Sequence, residues 1–161
     1  MDCNHETYTI QVSSYGATSN VNFVSTLNTP IKSIAKAQLV TTSLSCSSSN
    51  VAYIVVDELV SRFNDYSIEA PATNNSNVSL NLHSTSSLLR KAFGAVYNED
   101  STSRPRITYY NRYPIVADFF DPIKDLSKLS IRLYGHDGTL LTDGGLNFFT
   151  FRFTCLRKNL C

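Results

Sequence analysis

The sequence predicts an all-β domain, a two-sheet antiparallel sandwich of jelly-roll (Greek-key) type with about eight strands and one short helix. Strict alternation near the C-terminus is the first reason. Leu129, Ile131 and Leu133 alternate with Ser130, Arg132 and Tyr134; Phe149, Phe151, Phe153 and Cys155 alternate with Thr150, Arg152 and Thr154. Period-2 patterning marks strands with one face in a core and one in water. Composition is the second reason. Charged residues are only 17%. Ser, Thr and Asn together make roughly 30%, and they favour turns and pleated surfaces over helix interiors. Spacing is the third. Strand candidates recur about every 10 to 15 residues, and connections such as 64–87 are too long for hairpins, as chains crossing between sheets require.

Taken in order, residues 7–13 read as a short strand or extended arm, with 1–19 as a possible N-terminal arm and 14–20 turn-rich. Val21, Phe23 and Leu27 alternate with Asn22 and Thr26 over a second strand. Asn28-Thr29-Pro30 predicts a turn, because proline fixes φ and restricts the residue before it. Residues 31–43 are apolar and Thr-rich, but Ile34 and Leu39 differ in parity, which a bulge or a short helical turn explains. The continuous run 51–56 (VAYIVV) suits a strand covered on both faces. In 57–63, Leu59, Val60 and Phe63 fall at helical spacing behind two acids, predicting a two-turn helix. Residues 65–77 predict a loop, 78–82 and 88–97 short strands (although LLRKAF at 88–93 also suits a helix), 99–106 a loop, and 107–116 a strand with Pro114 at an edge or end. Residues 118–125 predict a crossing loop, and the two alternating strands follow.

At 161 residues the chain has the size of one domain, and no repeat or linker divides it. A net charge of +1 offers no electrostatic footprint for nucleic acid or an anionic membrane surface. No apolar run reaches the ~18 residues of a transmembrane helix, and MDCNHETYTIQV lacks the regions of a signal peptide, so a cytosolic chain is expected. Cys3, Cys46, Cys155 and Cys161 show no CxxC; free thiols are expected, with Cys155 a small core residue. The sequons at Asn74 and Asn77 are expected to carry no glycan in such a setting.

Chemistry is sparse. His136-Asp137-Gly138 and Asp143-Gly144-Gly145 supply turn glycines, not the alternating oxygen ligands of a calcium loop. His5, His83 and His136 are far apart, without the H-x-H of a metal-binding barrel, and no GxSxG, P-loop or GxGxxG is present. No catalytic residue, metal or cofactor is expected. The acidic pairs Asp57/Glu58 and Asp118/Asp121 suit helix-cap and loop-turn roles. Tyr109, Tyr110 and Tyr113 beside Arg106 and Arg112 could stack on bases or sugars, or make protein contacts, where Tyr and Arg are enriched.

Two segments carry a resemblance. NFVSTLNTPIKSIAKAQLVTTSL followed by VAYIVVDEL, and FFDPIKDLSKLSIRLYGHDGTLL followed by NFFTFRFTC, together residues 20–60 and 118–155, resemble the two halves of small single jelly-roll virion proteins. These are penton or minor capsid proteins of large double-stranded DNA viruses of eukaryotes and their smaller relatives. The resemblance implies a non-enzymatic capsid component in the virion, assembled in host cytoplasm. Its implied partners are other capsid proteins, including a major capsid protein, and further copies of itself, five at a vertex. On this reading the contacts fall to the arm (Tyr8, Ile10, Val12) and to Tyr109, Tyr110 and Tyr113. A chain lacking residues 1–19 is then expected to keep its fold and lose assembly. The residues also leave open a carbohydrate- or ligand-binding, lectin-like sandwich using 64–87 or 98–106 with the tyrosines.

Overall fold

The computed structural model describes residues 5–45, 51–60, 92–97, 106–136, 138–142 and 144–157, with 106–113 described in backbone only. These residues are almost entirely strand: β1 (His5–Ser13), β2 (Asn22–Ser45), β3 (Val51–Val56), β4 (Gly94–Tyr97), β5 (Arg106–Tyr134) and β6 (Phe148–Leu156). All pairings are antiparallel, in one hydrogen-bonded sheet of order β1-β6-β2-β5-β3-β4. The sheet curls over its own inner face. Phe93, at the entry to the terminal strand β4, packs edge-on against Phe151 of β6 at 5.8 Å, although three strands separate β6 from β4 in the pairing order.

The all-β expectation is borne out, but six strands replace eight among the described residues. The reason is that β2 and β5 each join two expected strands. β2 runs through the expected turn at 28–30, and β5 runs through the expected crossing loop at 118–125. Prolines mislead here because each sits where the ladder has no partner for it. Residues 27–30 of β2 stand against Ser127 alone; 119–122 of β5 stand against Ala35; 111–114 of β5 stand against Val40. Pro30, Pro122 and Pro114 fall in these three irregularities, so a missing N–H breaks no ladder bond.

The same irregularities settle the parity of β2. The bulge option holds and the helical turn does not. Ala35 and Val40 are extra residues relative to β6 as well, and the buried set passes from Ile34 to Ala37 and Leu39, then to Thr42 and Leu44. The alternation in β6 holds throughout: Phe149, Phe151, Phe153 and Cys155 are buried, and the three rings stack along the strand at 6.1 Å spacings. Leu129, Ile131 and Leu133 are buried too. β3 is covered on both faces, as its apolar run predicts. Ile54 and Val56 enter the main core, while Val55 joins Ala92 and Tyr134 in a second cluster.

The expected two-turn helix is instead one 3-10 turn, Asp57–Leu59, after which Val60 is extended. The two acids are drawn to β5 rather than to a helix N-terminus. Arg132 donates to Asp57, and the Glu58 carboxylate accepts the Ser130 N–H and O–H at 2.7 Å each. Leu59 is thereby fixed in the core. Of the two readings of residues 7–13, short strand or extended arm, the strand holds. β1 pairs with β6 over nine register positions, and Val12 is 3% exposed in the core, so removing 1–19 would strip a strand from the sheet. The expected strands and loops within 61–91 and 98–105 lie outside the described residues.

A buried polar junction, invisible in the sequence, ties three segments together. Asn147 donates from its side chain to the Asn20 carbonyl and accepts from the Ser45 N–H, at 2.7 Å each. Its own N–H reaches the Ser14 hydroxyl, and its carbonyl accepts the Ser14 N–H, both at 3.0 Å. A fully buried amide is tolerable only with such complete partnering.

Candidate functional site

β2 parts company with β6 partway along. Its second half pairs with β6 from Ile34 to Ser43, whereas its first half pairs only with β5. Ser33, with φ of 55°, and the bulged Ala35 bracket the divergence. A gap therefore opens between β1 and the first half of β2. It forms an open groove of about 1090 Å³, bounded by β1 on one side, residues 25–33 on the other, and Cys155 to Arg157 at the end of β6.

Apolar and charged groups share the groove. Ile10, Leu27, Ile31 and Leu156 supply apolar surface, and Lys32, Lys124, Arg157 and Glu6 supply charge. Glu6 and Arg157 form an exposed ion pair at 3.6 Å. Tyr8, 41% exposed, has its phenol held above its ordinary pKa, chiefly by hydrogen bonding to the Glu6 carboxylate. Cys155 borders the groove but is 3% exposed, and burial, then the nearby Glu6 charge, pushes its thiol pKa up. A thiol kept protonated in this way is a poor nucleophile.

Of the expected contact residues, Tyr8 and Ile10 line this groove. Val12 does not: it shares the face of Tyr8 and Ile10, but it lies further along β1, opposite Phe149, where the core covers it, so it offers no surface to a partner. Tyr109 and Tyr110 stand opposite Thr42 and Thr41 in β5, and Tyr113 lies in the 111–114 irregularity; their side chains lie outside the described residues. β6 and β2 lie between β1 and β5, so the backbones of the two expected contact groups are not neighbours.

The described residues on either side of Asp137 form a tight reversal, in line with the expected turn. Gly135 donates to the Thr139 carbonyl at 2.8 Å, Gly138 donates back to the Gly135 carbonyl at 3.1 Å, and Gly138 takes φ of 75°. Asp137 and Asp143, with Cys3, Cys46, Cys161, His83 and both sequons, lie outside the described residues. Among the described residues no three His, Cys, Asp or Glu side chains gather as a metal site needs, and no helix is long and apolar enough to cross a membrane. The acids expected as caps and turns bind strands: Asp57 and Glu58 hold β5, and Asp118 faces Lys36 at 3.9 Å.

Large apolar side chains are exposed elsewhere. Phe120, in the 119–122 irregularity, is 87% exposed beside the half-buried Phe119, and Tyr15, in the turn after β1, is 81% exposed. Alternation could not have flagged Phe120, because parity is lost where four residues oppose one.

No family model matches this chain, and a search of curated proteins found no match.

Proposed function

We propose that this chain is a non-enzymatic structural protein of an icosahedral virus capsid, a penton (vertex) or minor capsid component, built as a single jelly roll and acting through protein–protein contacts. The pairing order carries the fold half of this reading. If β2 and β5 are each divided at their middle irregularity, near Ala35 and residues 119–122, the sheet separates into two four-stranded rows. One row runs β1, β6, second half of β2, first half of β5; the other runs first half of β2, second half of β5, β3, β4. Four strands and four half-strands in that order match the connectivity of a double Greek key, the plan used by viral capsid domains. Lectins and cupins use it as well, so the functional half rests on the resemblance of residues 20–60 and 118–155 to small virion proteins. Those segments adjoin: residues 22–26 pair with 128–132, and Glu58 binds Ser130.

The proposal places the protein in the virion, beside a major capsid protein and further copies of itself. Near-neutral charge lowers repulsion between packed copies, and head-to-tail contacts of one surface with another generate closed rings. Negative-stain electron microscopy of the concentrated protein tests this. Rings of five support the vertex assignment. Isolated particles that bind a glycan array saturably support the lectin-like alternative and overturn the proposal.

A further inference from the structure

The groove lies between two strand edges that no described strand covers. β1 ends the sheet order, and the first half of β2 is paired only on its β5 side. The orientation of the β1 edge follows from one bond. Ser14 donates to the carbonyl of Asn147, its opposite residue in the continued β1–β6 register, as in a hydrogen-bonded pair, with the return bond from the Asn147 N–H made to the Ser14 hydroxyl. Such pairs alternate in an antiparallel ladder. The even residues of β1 therefore bond to β6, and Thr7, Thr9 and Gln11 turn their N–H and C=O groups outward. Glu6, Tyr8 and Ile10 line the groove, as do Thr9 and Gln11 along the edge itself. An open edge with a groove beneath it is the geometry that accepts an added strand, with main-chain bonds giving affinity and alternate side chains giving specificity.

Charge narrows the partner. Glu6 is already paired with Arg157, whereas Lys32 and Lys124 border the groove without an ion pair to any described residue. Asp125, opposite Lys32 in the ladder, is not among the lining residues.

We infer that the β1 edge and its groove form a docking site for an extended peptide segment of a partner protein, one that adds as a strand beside β1, places alternate apolar side chains against Ile10, Leu27 and Ile31, and sets a carboxylate near Lys32 and Lys124. This does not depend on the capsid reading.

The test pans a random dodecapeptide phage library on the full chain, then titrates the resynthesised peptides by fluorescence anisotropy. Selected peptides share alternating β-branched or aromatic positions and carry Asp or Glu. Thr9→Pro, which removes an outward N–H but no β6 bond, weakens them at least tenfold, as does the Lys32→Glu/Lys124→Glu double variant. Circular dichroism checks that each variant folds. Should Thr9→Pro not fold, hydrogen exchange on the unaltered protein decides: peptide binding slows the amides of Thr7, Thr9 and Gln11. No binders, binders indifferent to Thr9→Pro, or unchanged exchange at these amides would overturn the inference. So would self-association of the protein that is lost in Thr9→Pro while no peptide binds, since the occupant would then be a second copy.

Discussion

Glu58 holds Ser130 by both carboxylate oxygens, one on its N–H and one on its hydroxyl, each at 2.7 Å. The β3–β5 register stops at Val56 opposite Ile131, and Ser130 is the next residue along β5. A side chain thus takes over the ladder where the β3 backbone turns away. Two charge-assisted bonds at a half-buried site make Glu58→Ala cost about 1.5–3 kcal/mol by chemical denaturation. Glu58→Gln, which keeps one acceptor, is expected to lose less.

Asn147 has no such redundancy. Replacing it with Ala strands the Ser45 N–H and the Asn20 carbonyl in a buried junction and leaves a small void. About 3 kcal/mol of stability should go, with the m-value unchanged. Asn147→Asp is expected to be at least as damaging, since an acceptor-only carboxylate would face the Asn20 carbonyl. A loss under ~1 kcal/mol in either variant would show that the junction is not needed.

Gly94 reports on the curl of the sheet. A Cβ there would lie 2.4 Å from Cγ2 of Ile115, a branched side chain on β5 with little room to give. Gly94→Ala should cost about 1–3 kcal/mol, and Ile115→Ala in the same chain should recover part of it. Purely additive losses would mean that β4 and this part of β5 do not touch.

Cys155 gives a pH dependence. Burial, then the Glu6 charge, raises its pKa in the fold, so the native state keeps the proton longer than the unfolded chain. Its contribution is complete below the unfolded thiol value of about 8.5 and is lost as pH rises through the higher folded value. Tyr53, whose phenol is raised chiefly by burial, acts in the same direction at higher pH. Unfolding free energy should therefore fall between pH 7 and pH 10, and fall less in Cys155→Val. Peptide-resolved mass spectrometry should find Cys155 slow to alkylate at pH 8 until denaturant is added.

Alternation made the inner face legible. Phe149, Phe151, Phe153, Leu129, Ile131 and Leu133 all point inward, and the broken parity between Ile34 and Leu39 announced a bulge. Strand number was not legible, because Pro30 and Pro122 look like strand breaks unless the opposing residue is known, and register is a long-range property. The helix over 57–63 failed for a related reason. Spacing cannot show that Arg132 and Ser130 will claim the two acids. Asn147 carried no local signal, since its partners are 102 or more residues away. The groove arises where β2 leaves β6, so Tyr8 and Ile10 could be chosen from the sequence while Lys32 and Lys124 could not.

Self-association is the central claim of the proposed function, and the mass in solution tests it most directly. Light scattering over a concentration series under reducing conditions is predicted to show the 17.9 kDa chain climbing to a discrete closed oligomer, a pentamer for a vertex protein. A strict monomer at every concentration would contradict the vertex assignment, leaving a minor capsid component that orders only against its shell or the ligand-binding alternative.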